Sequence, residues 1–445
     1  MPAEQKTLRQ LFFPIFFELL FSMLAGTVDT LMLSSVGDYA VGAVGTANTY
    51  FNVFIVMFTI ISSGMTAVMT QYIGAKRPGV ARIALRLGLM VNLIFGLAVS
   101  AVLYFGSGAI LKGVGIADQL LESAETYMKV VGLFCICNAL IPIYSSYLRS
   151  FGHASPTMTA TIIGNIVNLA LNALFLFVFH WGVWGIAVAT GIARVINLLW
   201  LVIASRRRIN PERDPNPPAG RDIVRAIIRI GLPGAMESTL WNVSMTLIIG
   251  MLNNMDQTGM QVTARSYAMQ LANFTFCVGA ALSFANAIQV GWHIGGGELE
   301  KCNRNTNRAA AIGLSCTLGV AALIYIFARP LMSLFSDDPA MIELVRKLML
   351  LDVMLELGRV TNLVYGNALK TSGDALFTMV IAVVSTFLVA AGGTWFFGIR
   401  LGWLAVGAFL GMALDECTRA VLMFIRWQTG KWKKLSLVEK NETIA

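Results

Sequence analysis

Two carboxylates share the first long apolar run of this chain, Glu18 and Asp29. They are eleven residues apart. At about 100° per residue that is about 20° beyond three full helical turns, so both face one way. A later apolar run carries Thr161, Asn165, Asn168 and Asn172 at i, i+4, i+7 and i+11, which places all four on one helix face. Asn138 sits one turn before Pro142, a residue expected to kink its helix. A carboxylate among amide oxygens and away from water suits two tasks. It can hold a proton, because desolvation disfavours the charged form. It can also help replace the hydration shell of a small cation with oxygens. The plainer role for the Asn and Thr side chains is hydrogen bonding between helices. For Asp29 that role is less satisfactory, since its own helix offers no basic residue to neutralise it.

The second half of the chain holds a different set: Glu237, Glu356, Arg359, Asp415, Glu416 and Arg419. Glu356 with Arg359 and Glu416 with Arg419 are i, i+3 pairs, and Asp415 with Arg419 is i, i+4, the spacings at which helical side chains meet. This pattern reads as a paired structural network. The functional alternative is a proton path or cationic-substrate site built around Glu237 and Glu356. The six cysteines (135, 137, 277, 302, 316 and 417) show neither CxxC spacing nor a histidine partner and read as small residues at helix contacts. None of the three histidines, all near run ends, is assigned a role.

These groups need elements to position them, and composition dictates which. Only 13% of residues are charged, 56% are hydrophobic and the mean hydropathy is +0.70. A soluble domain carries about 25% charged residues, so the outside of this chain must face lipid. In hydrocarbon only helices and closed barrels satisfy the backbone, and these apolar runs far exceed a barrel strand of about 10 residues. At about 20 residues per span the chain is expected to be all-α and polytopic, with about twelve transmembrane helices. Spans fall near 9–35, 41–73, 83–107, 122–148, 157–180, 184–205, 224–253, 260–292, 305–328, 341–371, 375–397 and 401–427. The first is too long for a signal-peptide core and lacks a small-residue cleavage site, so it is expected to persist.

Net charge is +9, yet 23 of the 33 Lys and Arg residues fall in alternate connections, which argues against nucleic acid and for an orientation signal. Both termini are then expected in the cytoplasm, in a multi-pass protein of the cell inner (plasma) membrane. The expected divisions are an N-terminal six-helix lobe over 1–205, a basic cytoplasmic linker over 206–222 that serves only as a topology signal, a C-terminal lobe over 223–430 and a cytoplasmic tail over 431–445.

The two lobes repeat each other. Phe-Pro-x-x-x-Glu at Pro14 and Glu18 returns as Leu-Pro-x-x-x-Glu at Pro233 and Glu237, an offset of 219. Tyr72-Ile73-Gly74-Ala75 answers His293-Ile294-Gly295-Gly296, and Leu148-Arg149-Ser150-Phe151-Gly152-His153 answers Leu369-Lys370-Thr371-Ser372-Gly373-Asp374, both offset by 221. Asp118 before the fourth span answers Asp337-Asp338-Pro339 before the tenth, an N-cap followed by a first-turn proline. Six helices per repeat insert both halves the same way round, an arrangement of transporters, with a central cavity expected between them.

Taken in order, Val28-Asp29, Gln71 to Arg77, Leu148 to Gly152, Gly231-Leu232-Pro233, His293 to Gly296 and Leu369 to Gly373 resemble the multidrug and toxic-compound extrusion (MATE) family over about residues 8–430. The resemblance implies antiport, in which inward flow of protons or sodium ions drives export of organic, often cationic, compounds. It further implies a cation site in the first lobe, with Asp29 and Asn168 at family positions, and with Asp29 as the metal ligand if the ion is sodium. The family pattern Asn-x-x-x-Asp reads Asn168-x-x-x-Asn172 here, which leaves Asp29 as the lone clear anion and weakens a sodium assignment. Glu237 lies where some members carry a functional Glu. The implied ion-coupling set is Asp29, Asn168, Asn172 and Asn138, with Glu18 and Asn165 secondary. Glu237, Glu356, Arg359 and Asp415 form a second-lobe candidate. No cofactor is expected beyond the coupling ion. The expected partners are small organic substrates and the bilayer, and the protein is expected to be a monomer and no enzyme. Competing readings are a lipid-linked precursor flippase, whose cavity would be cationic, an intramembrane transferase, which would need metal-binding acidic clusters, and a passive channel.

Overall fold

The computed structural model describes residues 5–113, 116, 118–256, 258–333 and 335–438. Residues 1–4 of the expected first lobe and 439–445 of the expected tail lie outside them. Twelve helical rods account for nearly all of the described chain. The first six are α1 (Leu8–Ser34), α2 (Asp38–Gly74), α3 (Pro78–Gly113), α4 in two pieces (Asp118–Leu133 and Cys135–Ser150), α5 (Ser155–Val178) and α6 (Gly182–Arg208). The second six are α7 (Gly220–Met255), α8 (Met260–Gly295), α9 (Leu299–Ile326), α10 (Pro339–Ser372), α11 (Ala375–Arg400) and α12 (Leu404–Gln428). Eight are long and apolar enough on their own to cross a membrane, and α4 adds a ninth as a pair bent by 47°. The other three, α7, α10 and α12, are those that carry the second half's acids and bases. All three are as long as the others; charged residues keep α10 and α12 from reading as spans, and polar ones such as Ser238, Asn242 and Ser244 do so for α7.

The bend in α4 lies at Phe134, eight residues before the proline expected to cause it. Ser100 of α3 donates to the Gly132 carbonyl at 2.7 Å and so takes an acceptor that the next helical turn would use. A side chain inserted into the i→i−4 ladder bends a helix there. Inside the second piece, Pro142 continues the helix.

Two compact units result, Met1–Leu232 and Pro233–Ala445. The division therefore falls within α7 at Pro233, not at the 206–222 connection. The reason is local. A Cβ on Gly231 would overlap the Ile60 carbonyl, and one on Gly64 would overlap that of Ile227, so the first turns of α7 lie backbone to backbone against α2. Ile223, Ile227 and Ile230 are buried there. Nor is the basic connection only a topology signal. Arg77 binds Asp214 through Nε at 2.8 Å and Nη2 at 3.2 Å and also donates to the Asn216 carbonyl. The Gly79 position has no room for a Cβ, which would stand 2.5 Å from the Asp214 amide nitrogen. The connection is seated on the α2–α3 turn.

Each unit buries its own apolar core. In unit 1, Ala40, Ala43 and Ala47 of α2 meet Leu103 of α3 and Met128 of α4. In unit 2, Leu252 of α7, Ala268 of α8 and Phe409 of α12 are central. The repeated motifs share backbone geometry. Gly152 (φ +82°) and Gly373 (φ +104°) end α4 and α10 in the left-handed conformation that costs glycine little. After each, an amide returns to a carbonyl five residues back, His153 to Leu148 and Asp374 to Leu369, both at 2.9 Å. Asp338 caps α10 by accepting from the Ala340 amide at 2.9 Å.

Candidate functional site

Asp29 lies in the outer turns of α1 and is half-buried. Asn172 of α5 donates from Nδ2 to its Oδ1 at 2.9 Å, and from the same nitrogen to Asn168 Oδ1 at 3.3 Å. Asn168 in turn donates to Thr190 Oγ1 of α6 at 3.4 Å. The helical spacing of the amides makes this relay possible, because Asn168 and Asn172 are one turn apart and stack along one face. Asn172 is fully buried, and its Oδ1 has no hydrogen-bond partner among the described residues. A buried acceptor left unmade costs about 1–3 kcal/mol, so the site has an oxygen in want of a proton or a cation. A crevice of about 180 Å³ opens beside it between α1 and α5, lined by Phe21, Leu24, Ala25, Val28, Ile162, Ile166 and Leu169, with Asp29, Asn165 and Asn168 as its polar residues.

Of the other first-half candidates, Asn165 donates to the Phe21 carbonyl at 3.0 Å and ties α5 to α1. Asn138 is half-buried in the second piece of α4, and no hydrogen bond joins it to the Asp29 relay. Glu18 faces α5 as its spacing from Asp29 requires, accepting from Thr157 at 2.8 Å, but it is neutralised by Arg149 of α4 at 2.5 Å. Its second-half counterpart does the same, with Glu237 paired to Lys370 at 2.8 Å. The two repeated motifs are thus the two ends of one ion pair, built once in each unit. Glu237 accordingly belongs to the scaffold contact and is not bonded to Glu356.

Sequence reasoning passed over Arg194. It lies mid-way along α6, one turn beyond Thr190, with Asp29, Tyr127 and Cys137 in electrostatic reach. The helix that carries Asp29 offers it no basic residue, and α6 brings one within electrostatic reach. A charge at the centre of a span costs about 2.5–3.5 kcal/mol on insertion scales. That rule singled out Asp29 and would have singled out Arg194 too.

In unit 2 the acids and bases form one buried cluster. Glu356 pairs with Arg359 at 2.5 Å, and Arg419 bridges Asp415 at 2.7 Å and Glu416 at 2.9 Å. Ser385 donates to Asp415 at 2.6 Å and Asn362 to Glu416 at 2.9 Å, so α10, α11 and α12 are tied together. Asp352, one turn before Glu356 and also overlooked, is buried with Oδ1 unpartnered, as is Glu356 Oε2. The cluster therefore holds four carboxyl groups against two guanidinium groups.

The MatE family profile matches residues 14–174 and 233–395, one match in each half. The chain is 31% identical over 438 residues to the "Uncharacterized transporter YisQ" of Bacillus subtilis, covering 97% of this chain and 96% of that one. It is 24% identical over 456 residues to the "Probable multidrug resistance protein NorM" of Thermotoga maritima, covering 99% and 96%. In fold it is similar to a solved outward-facing multidrug resistance MATE family transporter of the MOP superfamily, with a TM-score of 0.88 at 19% identity and 96% of each chain covered. Twelve rods in two repeated units, matched by the profile in both halves, establish that this chain belongs to the MATE family of membrane transporters.

Proposed function

We propose that the chain is a cation-coupled antiporter that exports organic, often cationic, compounds from the cell across the inner membrane, with both termini cytoplasmic. The observation that carries the reading is Asp29, held by Asn172 beside an open crevice, with a buried amide oxygen still unpartnered. A relative named as a probable multidrug resistance protein supports the export of several compounds.

Coupling follows from the chemistry of the carboxyl. While Asp29 is ionised it can only accept, so Asn172 must present its NH₂ group to it. A proton makes Asp29 a donor, and rotation of the amide then lets Asn172 Oδ1 accept it. A sodium ion would satisfy the same two oxygens at once. Either cation changes what α1 is bonded to, and α1 is loosely held, since none of its residues between Ile15 and Leu33 is buried. An element with few buried contacts is the one that moves at least cost. Cation binding at Asp29 would reshape α1 and alter the crevice that α1 lines, releasing substrate.

The test is efflux of a fluorescent organic cation from vesicles, with a pH gradient and a sodium gradient imposed separately. The effective gradient names the ion. Asp29→Asn is expected to abolish gradient-driven efflux while remaining inserted and folded. Efflux by that variant at the wild-type rate rejects the reading.

A further inference from the structure

Arg194 differs from the other charged groups of unit 1 that lie within the spans. Glu18 and Arg149 are consumed by each other, and Asp29 is held by an amide. Arg194 makes no hydrogen bond and no ion pair among the described residues, and its side chain, mid-way along α6, is exposed and not packed away. A guanidinium is always charged and offers five donors in a planar fork that fits a carboxylate with two parallel bonds. Side chains on a helix lean toward its N-terminus. For α6 that end lies on the Asp29 side, because Thr190, one turn earlier, is already bonded to the Asn168–Asn172 relay. Arg194 nevertheless does not close onto Asp29. The relay pins the carboxylate through Asn172, so two opposite charges lie within electrostatic reach without forming an ion pair.

We propose that Asp29 and Arg194 together form a receptor for dipolar solutes, in which Arg194 takes a carboxylate and Asp29 takes an ammonium group. A solute that is only cationic gains Asp29 and is opposed by Arg194. One that is only anionic meets the reverse. A solute with both groups satisfies both, and displaces the coupling cation from Asp29 as it binds. The solute's being exported rests on the function proposed above; its being bound does not.

Purified full-length protein in lipid nanodiscs is titrated calorimetrically with three indoles that differ only in charge: tryptophan, tryptamine and indole-3-propionate. Tryptophan is expected to bind more tightly than either of the others by about tenfold. Arg194→Gln is expected to abolish that preference and to strengthen tryptamine, while Asp29→Asn weakens tryptamine and tryptophan and strengthens indole-3-propionate. Arg194→Lys keeps the charge and loses the fork, and is expected to weaken tryptophan without restoring tryptamine; it decides the matter should the Gln variant not fold. Three results overturn the proposal: tryptamine bound as tightly as tryptophan by the wild type, an order unchanged by either Arg194 variant, or no binding of any of the three. Efflux of an organic cation in vesicles is scored separately. Its absence in the wild type would reject export and leave the binding order to be judged on its own.

Discussion

In unit 1, beyond the Glu18–Arg149 pair, the charges that lie within the spans stand apart, Asp29 held by an amide and Arg194 without a bonded partner among the described residues. In unit 2 most are driven together, the exception being Arg265 of α8, which is buried and donates only to Met245 Sδ at 3.6 Å. Glu356, Arg359, Asp415, Glu416 and Arg419 are all buried and bonded to one another across α10 and α12. The scaffold does not cause this difference. Both units end their fourth rod in the same left-handed glycine and both anchor it with the same carboxylate–cation pair. What differs is whether the interior charges already have protein partners. A paired interior resists change, because removing either member leaves an uncompensated charge in low dielectric. An unpaired interior keeps its groups available to a cation or a solute. The comparison teaches that a repeated fold can be rigid in one copy and receptive in the other.

The strongest challenge to that contrast is to remove a partner on each side. Arg359→Met leaves Glu356 buried and unpaired and is expected to cost about 3–5 kcal/mol, seen as lost yield and a lower melting temperature in detergent. Asn172→Ala in unit 1 removes one neutral relay member and is expected to cost about 1–2 kcal/mol. Equal losses in the two variants would erase the distinction between the units.

The shared scaffold is tested by the matched pair Glu18→Gln and Glu237→Gln. Each weakens one partly buried ion pair at a corresponding place. The two are expected to lower stability by about 1 kcal/mol each and to add in the double variant within about 0.5 kcal/mol, as distant sites do. A large loss confined to Glu237→Gln would mean that it belongs to the buried cluster after all.

The smallest effect concerns a contact that unit 1 has and that lies outside the membrane. Arg77 holds the Asp214 carboxyl below the usual carboxylate range by hydrogen bonding to its charged form. The folded state therefore binds this proton less readily than the unfolded chain. The contribution is complete above the unfolded value, about pH 4, and fades as pH falls through the lower folded value. Its size is expected to be under about 1 kcal/mol, since Arg77 is partly exposed. Asp214→Asn should lower the melting temperature slightly at pH 7, with the gap to wild type closing on acidification. A gap that widens at low pH would show that the seated connection is held by something other than this pair.

Most of the architecture was legible in the residues alone. Apolar run length, the alternation of Lys and Arg, and motifs recurring at offsets near 220 residues are local or periodic quantities, and the hydrocarbon solvent leaves helices as their outcome. That Glu18 and Asp29 share one face of α1, and Asn165, Asn168 and Asn172 one face of α5, was legible for the same reason. Pairings inside one helix, Glu356 with Arg359 and Asp415 with Arg419, also followed from spacing. What the tertiary structure decided were the partners drawn from different helices. Glu18 found Arg149 and Glu237 found Lys370, each more than a hundred residues away. The connection after α6 found Arg77, the bend of α4 came from a serine on α3, and Arg194 was brought toward Asp29 by the relay that joins α1, α5 and α6. Helical periodicity says which way a side chain faces. Only the way the helices are laid against one another says what it meets there.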